Sequence, residues 1–425
     1  MSNSSTASDS PLAEALRAHV LEGFEGPGSA PWESNPTWDR LEALGTELWL
    51  DTGDIDVARE LWVKEFKALT TNNTLLNREI QKGLYDARVP GLQALLREVA
   101  PELDEKTRIL ETAFALNAIH GLKLVETFGV QVSVELHTDL AHDLKRSVQY
   151  GLRYHAICPS HFIVKVPLTA EGLLAARKLG QQGVRINFTL GFSARQNLLI
   201  ASVANPDFCN VFMGRINAFL IDNKLGDGVN AGEKATALSG NTMVSLRQEG
   251  RAKTRQIGAS MRGPNQVEDL AGLDVYTMPP KVAQDFLALG KDPSGIERGV
   301  DGDFPVQFAE GVDAAQDQLE IFWTLDERTN RAMEGVSALD LDNCGPEDIL
   351  SALSETGSED LLPDFDGPTC AALREKGKIP SYAAWVEEVR AGNLAWDSLL
   401  TQSGLLSFAE DQRALDERIQ SLLPV

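Results

Sequence analysis

The chain of 425 residues is poor in cysteine: Cys158, Cys209, Cys344 and Cys370 lie far apart and form no CxxC pair. A disulfide framework and a cysteine-based zinc site are therefore not expected. Positive charge is also scarce, with 39 Lys+Arg against 62 Asp+Glu and a net charge of −23. Nucleic acid and anionic membrane surfaces both call for a basic footprint, so neither is an expected partner. No run reaches the roughly 18 consecutive apolar residues of a membrane span. The opening MSNSSTASDSPLAEALRAHV has no apolar stretch and no basic residue before Arg17. It reads as neither a secretory signal nor a transit peptide, and the expected location is cytoplasmic. What the chain does have, 43% hydrophobic and 24% charged residues, is the profile of a globular protein with a large core.

The acidity is uneven. Residues 301–425 hold 26 Asp+Glu against 8 Lys+Arg, a net of −18, which leaves −5 for residues 1–300. At about 150 residues per domain, and with an α/β barrel taking about 250, the length suits two or three units. The expected division is an N-terminal helical segment (1–44), a main unit (45–300) and an acidic helical region (301–425).

Pro11 to Glu25 has helical spacing, and GPGSAP ends it. From about residue 45 short apolar strands alternate with amphipathic helices. The strand candidates are residues 47–51, 68–71, 131–136, 162–166, 184–190, 209–213, 255–260 and 274–278. Helices are read over 57–69, 169–180 and 193–204. Strand–helix alternation predicts a parallel sheet, and eight strands in this length match an α/β fold, the (β/α)₈ TIM barrel. A doubly wound sheet is the rival, but no GxGxxG follows the first strand. The helical stretch from 72 to 131 reads as an insertion between strands 2 and 3. Beyond 300, residues 314–335, 346–353, 381–392 and 407–423 read as helices with no strand between them. Their apolar stripes (Leu319, Phe322, Trp323; Leu415, Ile419, Leu422) predict packing on the barrel or on a second copy of the chain, a homo-oligomer.

Strands buried on both faces normally read as continuous apolar runs. Here several alternate. Ser133 and Glu135 share one face, opposite Val132 and Val134; Asn187 and Thr189 share another; Ser260 and Arg262 a third. The helix layer requires the apolar side, so the polar side is expected to line the barrel. Asp51, Glu135, Lys165, Thr189 and Ser260 then fall at C-terminal strand ends, where barrel enzymes carry their sites. Lys165, within FIVKVP, is the sharpest candidate. Burial favours the neutral, nucleophilic amine that Schiff-base chemistry needs; the other reading is a structural pair with Asp51 or Glu135. Arg215 and Arg262 are either ion-pair residues or a phosphate clamp. Five of the six histidines (120, 137, 142, 155 and 161) fall within 42 residues, yet no HExxH or similar ligand spacing is present, so no metal site is read.

LDTGDI (50–55), TTNNTLL (70–76), VSVEL (132–136), FIVKVPLTAEGLLAA (162–176), INFTLGFSARQ (186–196), FMGRI (212–216) and GASMR (258–262), taken in order, resemble the transaldolase family. The resemblance implies a barrel enzyme without metal or organic cofactor. It implies transfer of a dihydroxyacetone unit between sugar phosphates through a lysine Schiff base. By position, Lys165 matches the Schiff-base lysine and Asp51 the acid/base aspartate. Glu135 and Thr189 match the pair that holds a relay water, and Asn72 and Asn187 the amides that bind substrate hydroxyls. Arg215, Arg262 and Ser260 match the phosphate group. Asn210 stands where many members carry serine, which bears on sugar preference. Related barrels cleave fructose 6-phosphate without transfer, and a catalytically inactive scaffold is a further alternative. Residues 301–425 have no counterpart in the compact members.

Overall fold

The computed structural model describes residues 10–423. Eight parallel strands close into a barrel in sequence order: β1 (Glu47–Asp51), β2 (Phe66–Thr70), β3 (Gln131–Glu135), β4 (Phe162–Pro167), β5 (Ile186–Thr189), β6 (Phe208–Phe212), β7 (Arg255–Ala259) and β8 (Val275–Met278). This is the (β/α)₈ barrel that the strand–helix alternation predicts, each strand within two residues of its expected bounds.

The side-chain alternation also holds. Leu48, Leu50, Val132, Val134, Val164, Val166 and Phe188 point outward into the helix-covered core. Trp49, Ala68, Ile163, Phe208, Ile257 and Val275 face inward and fill the barrel, as part of a second buried cluster that continues into the residues beyond 300. The Trp49 and Phe208 rings meet edge to face at 4.8 Å. Below them Arg255 pairs with Glu47 at 2.7 Å, and the Trp49 indole donates to the same carboxylate. Towards the C-terminal ends the interior turns polar. Asn187 donates to the Ser133 hydroxyl at 3.1 Å, and Thr70 and Thr277 share a hydrogen bond of 2.6 Å.

The helices start where side chains take up orphan backbone N–H groups. Thr169 caps Ala170–Gln181, Ser193 caps Ala194–Val203, and Asn72 caps Asn73–Gln81. Three helices, Asn73–Gln81, Val89–Val99 and Glu105–Phe128, form the insertion between β2 and β3.

Four readings need correction. Residues 57–69 are not one helix: Ile55–Leu61 is helical, and Phe66 onward is drawn into β2 by pairing with β1 on one side and β3 on the other. Residues 314–335 are also divided. Leu319–Trp323 is a 3₁₀ turn whose Leu319, Ile321, Phe322 and Trp323 are all buried, more than one helix face can bury. Asp326 then caps a separate helix, Glu327–Ser337. The last helix begins at Trp396, ahead of the expected 407, and runs to Ser421. Finally, β7 ends at Ala259; Ser260 takes a left-handed φ of 61°, so Ser260 and Arg262 do not continue the strand alternation.

Residues beyond 300 pack on the barrel. Asp397, at the start of the last helix, accepts two hydrogen bonds of 2.8 Å from Arg195, which also reaches Asp360 at 3.0 Å; all three side chains are buried. From there the helix crosses the C-terminal mouth. Thr401 donates to the Leu190 carbonyl, Asp411 accepts from Thr74, and Arg418 pairs with Asp86 on the insertion.

Candidate active site

A cavity opens at this mouth. Eight of the ten sequence-predicted site residues line it: Asp51, Asn72, Lys165, Asn187, Asn210, Arg215, Ser260 and Arg262. Glu135 and Thr189 do not. Glu135 borders a small neighbouring cavity with Asn117, His137 and Tyr154.

Lys165 is 4% exposed and sits mid-way through a wholly buried strand. Its Nζ donates to the Thr71 carbonyl at 3.2 Å. On β3, Glu135 is its direct register partner, and on β5 Asn187 is. Burial raises the pKa of Glu135, against the opposing pull of Lys165 and a 3.1 Å hydrogen bond from the Asn73 backbone N–H. Burial likewise raises Asp51, opposed first by Lys165 and then by Thr70, whose hydroxyl donates at 2.6 Å. A carboxylate whose pKa is raised by burial is a stronger base than an exposed one and can return the proton it takes. Thr189 Oγ1 is buried without a protein partner.

Asn72 uses its side-chain oxygen to cap the insertion helix, accepting from the Leu75 N–H at 2.8 Å, so its amide N–H₂ is left for a ligand. Asn210 donates to Asn187 at 3.4 Å.

The opposite wall is cationic. Arg215 is 7% exposed, and its Nη1 has no protein acceptor. Burial lowers its pKa to about 10, helped by the nearby Arg262 charge. Its guanidinium lies over Phe212 at 5.4 Å and over Phe408 of the last helix at 5.6 Å. Two glycines permit this. A Cβ on Gly214 would strike the Ser260 carbonyl and come within 2.6 Å of Arg262 Cγ; one on Gly404 would lie 3.0 Å from Arg215 Nη1. A buried guanidinium without a counter-ion is costly, and a bound anion offsets that cost.

Sequence reading missed Thr70 and Thr277, which join Asp51 in one hydrogen-bonded chain, and Arg78, Lys378 and Phe408, which also line the cavity. Strand alternation marks the two threonines as inward-facing. Nothing in the sequence marks Lys378 or Phe408, which reach the cavity only when the acidic region docks.

Three of the five clustered histidines have side-chain partners: His120 with Tyr85 at 2.7 Å, His137 with Asp416 at 3.2 Å and His142 with Glu171 at 3.4 Å. Among the described residues no group of three or more His, Cys, Asp or Glu side chains could hold a metal ion, and no helix is long and apolar enough to cross a membrane.

Residues 48–332 match the family described as Transaldolase/Fructose-6-phosphate aldolase. A "Probable transaldolase" of Thermus thermophilus is 32% identical over 256 residues, 59% of this chain and 95% of that protein. A "Transaldolase" of Xanthomonas euvesicatoria is 29% identical over 240 residues, 55% of this chain and 73% of the relative. One from Nostoc is 27% identical over 260 residues, 59% of this chain and 77% of the relative. With its barrel, its buried lysine and two thirds of its length inside the match, the chain belongs to the transaldolase/fructose-6-phosphate aldolase family of enzymes.

Proposed function

We propose that this transferase moves a dihydroxyacetone unit between sugar phosphates through a Schiff base on Lys165. One observation carries the reading: a buried lysine beside two carboxylates raised by burial lines a cavity that also holds an unpartnered arginine. The Lys165 amine adds to the C2 carbonyl of fructose 6-phosphate or sedoheptulose 7-phosphate and loses water to form an iminium. Asp51 takes the C4 hydroxyl proton, the C3–C4 bond breaks, and its electron pair is held as the enamine. The shortened aldose phosphate leaves. Erythrose 4-phosphate or glyceraldehyde 3-phosphate enters, the enamine attacks its aldehyde, and Asp51 returns the proton. Water then hydrolyses the new iminium and frees Lys165.

Asn72 and Asn187 hold sugar hydroxyls, with Asn210 beside them, while Arg215, Arg262 and Ser260 hold the phosphate. Glu135 and Thr189 orient a water that relays protons without delivering one to the enamine carbon, which favours transfer over cleavage. The reading carries with it a role in sugar-phosphate interconversion, as in the pentose phosphate pathway, and a cytoplasmic setting.

Borohydride reduction in the presence of fructose 6-phosphate tests the chemistry, with peptide mass spectrometry to locate the adduct. The expected result is one dihydroxyacetone-sized mass gain on Lys165, and dihydroxyacetone transfer to erythrose 4-phosphate faster than its release. No adduct would overturn the Schiff base. An adduct with release but no transfer would make the chain a cleaving aldolase.

A further inference from the structure

Besides Lys165, four Lys and Arg side chains line the cavity, and the phosphate group assigned above uses only Arg215 and Arg262. Arg78 and Lys378 complete the set, and both come from outside the barrel. Arg78 stands on the insertion helix Asn73–Gln81, and Lys378 follows the helix Gly367–Lys376 in the acidic region. Residues 301–425 contain only 8 Lys+Arg among 26 Asp+Glu, yet one of those lysines is brought to the cavity.

The carboxylates that could neutralise this pair are engaged elsewhere. Asp411 accepts from Thr74, Asp54 and Glu79 hold Lys82, and Glu410 lies nearest Arg374. Partial burial lowers the Lys378 pKa, and Arg215, Arg78 and Arg262 add to the effect, with Asp411 opposing. Mutually repelling cations are thus gathered at one opening. The roof that gathers them is tied down: Gln81 donates to the Ala414 carbonyl at 3.1 Å, and Arg418 pairs with Asp86. A phosphate monoester, carrying about −1.5 to −2 charges and three acceptor oxygens, suits such a group. Arginine forks give it direction, and a lysine on a flexible stem adds a point charge.

We propose that Lys378 and Arg78 form an outer anion-binding pair that holds the substrate phosphate together with Arg215 and Arg262, making the acidic region part of the substrate site. The proposal rests on the sugar-phosphate reading of the cavity. It assigns residues 301–425 a role in specificity: they help the site distinguish phosphorylated from unphosphorylated sugars.

Lys378→Gln and Arg78→Gln, made singly in the full chain, test it. Both side chains are exposed, so melting temperatures should stay at the parent value. Calorimetric titration with inorganic phosphate should show binding weakened about ten- to a hundredfold in each variant, the worth of one charge-assisted hydrogen bond. KM for erythrose 4-phosphate should rise by a similar factor, while KM for unphosphorylated glyceraldehyde and borohydride trapping of unphosphorylated dihydroxyacetone at Lys165 stay unchanged. Unchanged phosphate affinity, or equal losses on both aldehydes, would overturn the proposal. The titration is read without turnover, so failed trapping in the parent chain would sink the Schiff-base reading and leave the phosphate result to decide this one.

Discussion

Buried charges are handled differently on the two sides of the mouth. In residues 301–425, Asp397 and Asp360 share Arg195, and Asp317 accepts from Arg390 and Tyr382. In the barrel, Arg215 ends in a nitrogen without an acceptor, Thr189 has a hydroxyl without a partner, and burial pushes Asp51 and Glu135 towards neutrality. Matched charges fasten one region to the other, whereas unmatched ones wait for a ligand. Net charge follows neither role: the acidic region supplies a cation to the cavity, and the near-neutral barrel holds its carboxylates.

The largest effect should come from removing the amine among the unmatched groups. Lys165→Arg keeps the charge but cannot form an iminium, so turnover should fall to background, as read by the transfer assay, with no borohydride adduct. Glu135→Gln sharpens the contrast. If Glu135 relays protons, transfer should drop about 10²–10⁴-fold while trapping and melting temperature persist. Near-normal transfer with a large fall in melting temperature would make it a mere partner of Lys165 and sink the relay.

On the matched side, Asp397→Ala strands a buried guanidinium and should cost about 3–5 kcal/mol in denaturant unfolding. A loss under about 1 kcal/mol would show that Arg195 finds another acceptor and that the fastening lies elsewhere.

His120 offers a third case, a buried group kept neutral. Burial lowers its pKa from 6.5 to about 4. The fold therefore favours the neutral ring, so its contribution is whole above pH 6.5 and is lost as the pH falls towards 4. That is about 3 kcal/mol over the window. His120→Gln should flatten the decline in melting temperature between these pH values; an unchanged slope assigns the acid sensitivity to other groups. Smallest of all, Arg331→Ala should change unfolding by less than about 0.5 kcal/mol, because its pair with Glu327 at 3.8 Å is solvent-exposed. A larger loss would mean that exposed pairs also hold the acidic region together.

The barrel is legible because two periodicities alternate along the chain and each strand keeps its apolar side outward. Lys165 stands out for a related reason, a charge inside an apolar strand. The same alternation marks Thr70 and Thr277, but hydroxyls carry no charge to draw notice beside Asp51. The segment at 57–69 misled because its apolar spacing fits a helix about as well as a helix running into a strand, and only pairing on both edges decides. Ser260 and Arg262 reach the cavity through a left-handed turn, which residue spacing does not encode. Lys378 and Phe408 could not be read at all: their place depends on a docking made more than 100 residues after the last strand, by Arg195 meeting Asp397.

The helix Trp396–Ser421 reaches across the mouth from the Leu190 carbonyl to Asp86. β8 ends at Met278, well over 100 residues earlier in the chain. At a synthesis rate of about 5–20 residues per second, the last strand is made several seconds or more before this helix. A nascent chain can thus hold every barrel group, Lys165 included, while its mouth is still unroofed and lacks Phe408. The roof of the phosphate-binding cavity would then be completed in one late step, set by the ribosome's arrival at the final helix and not by barrel closure.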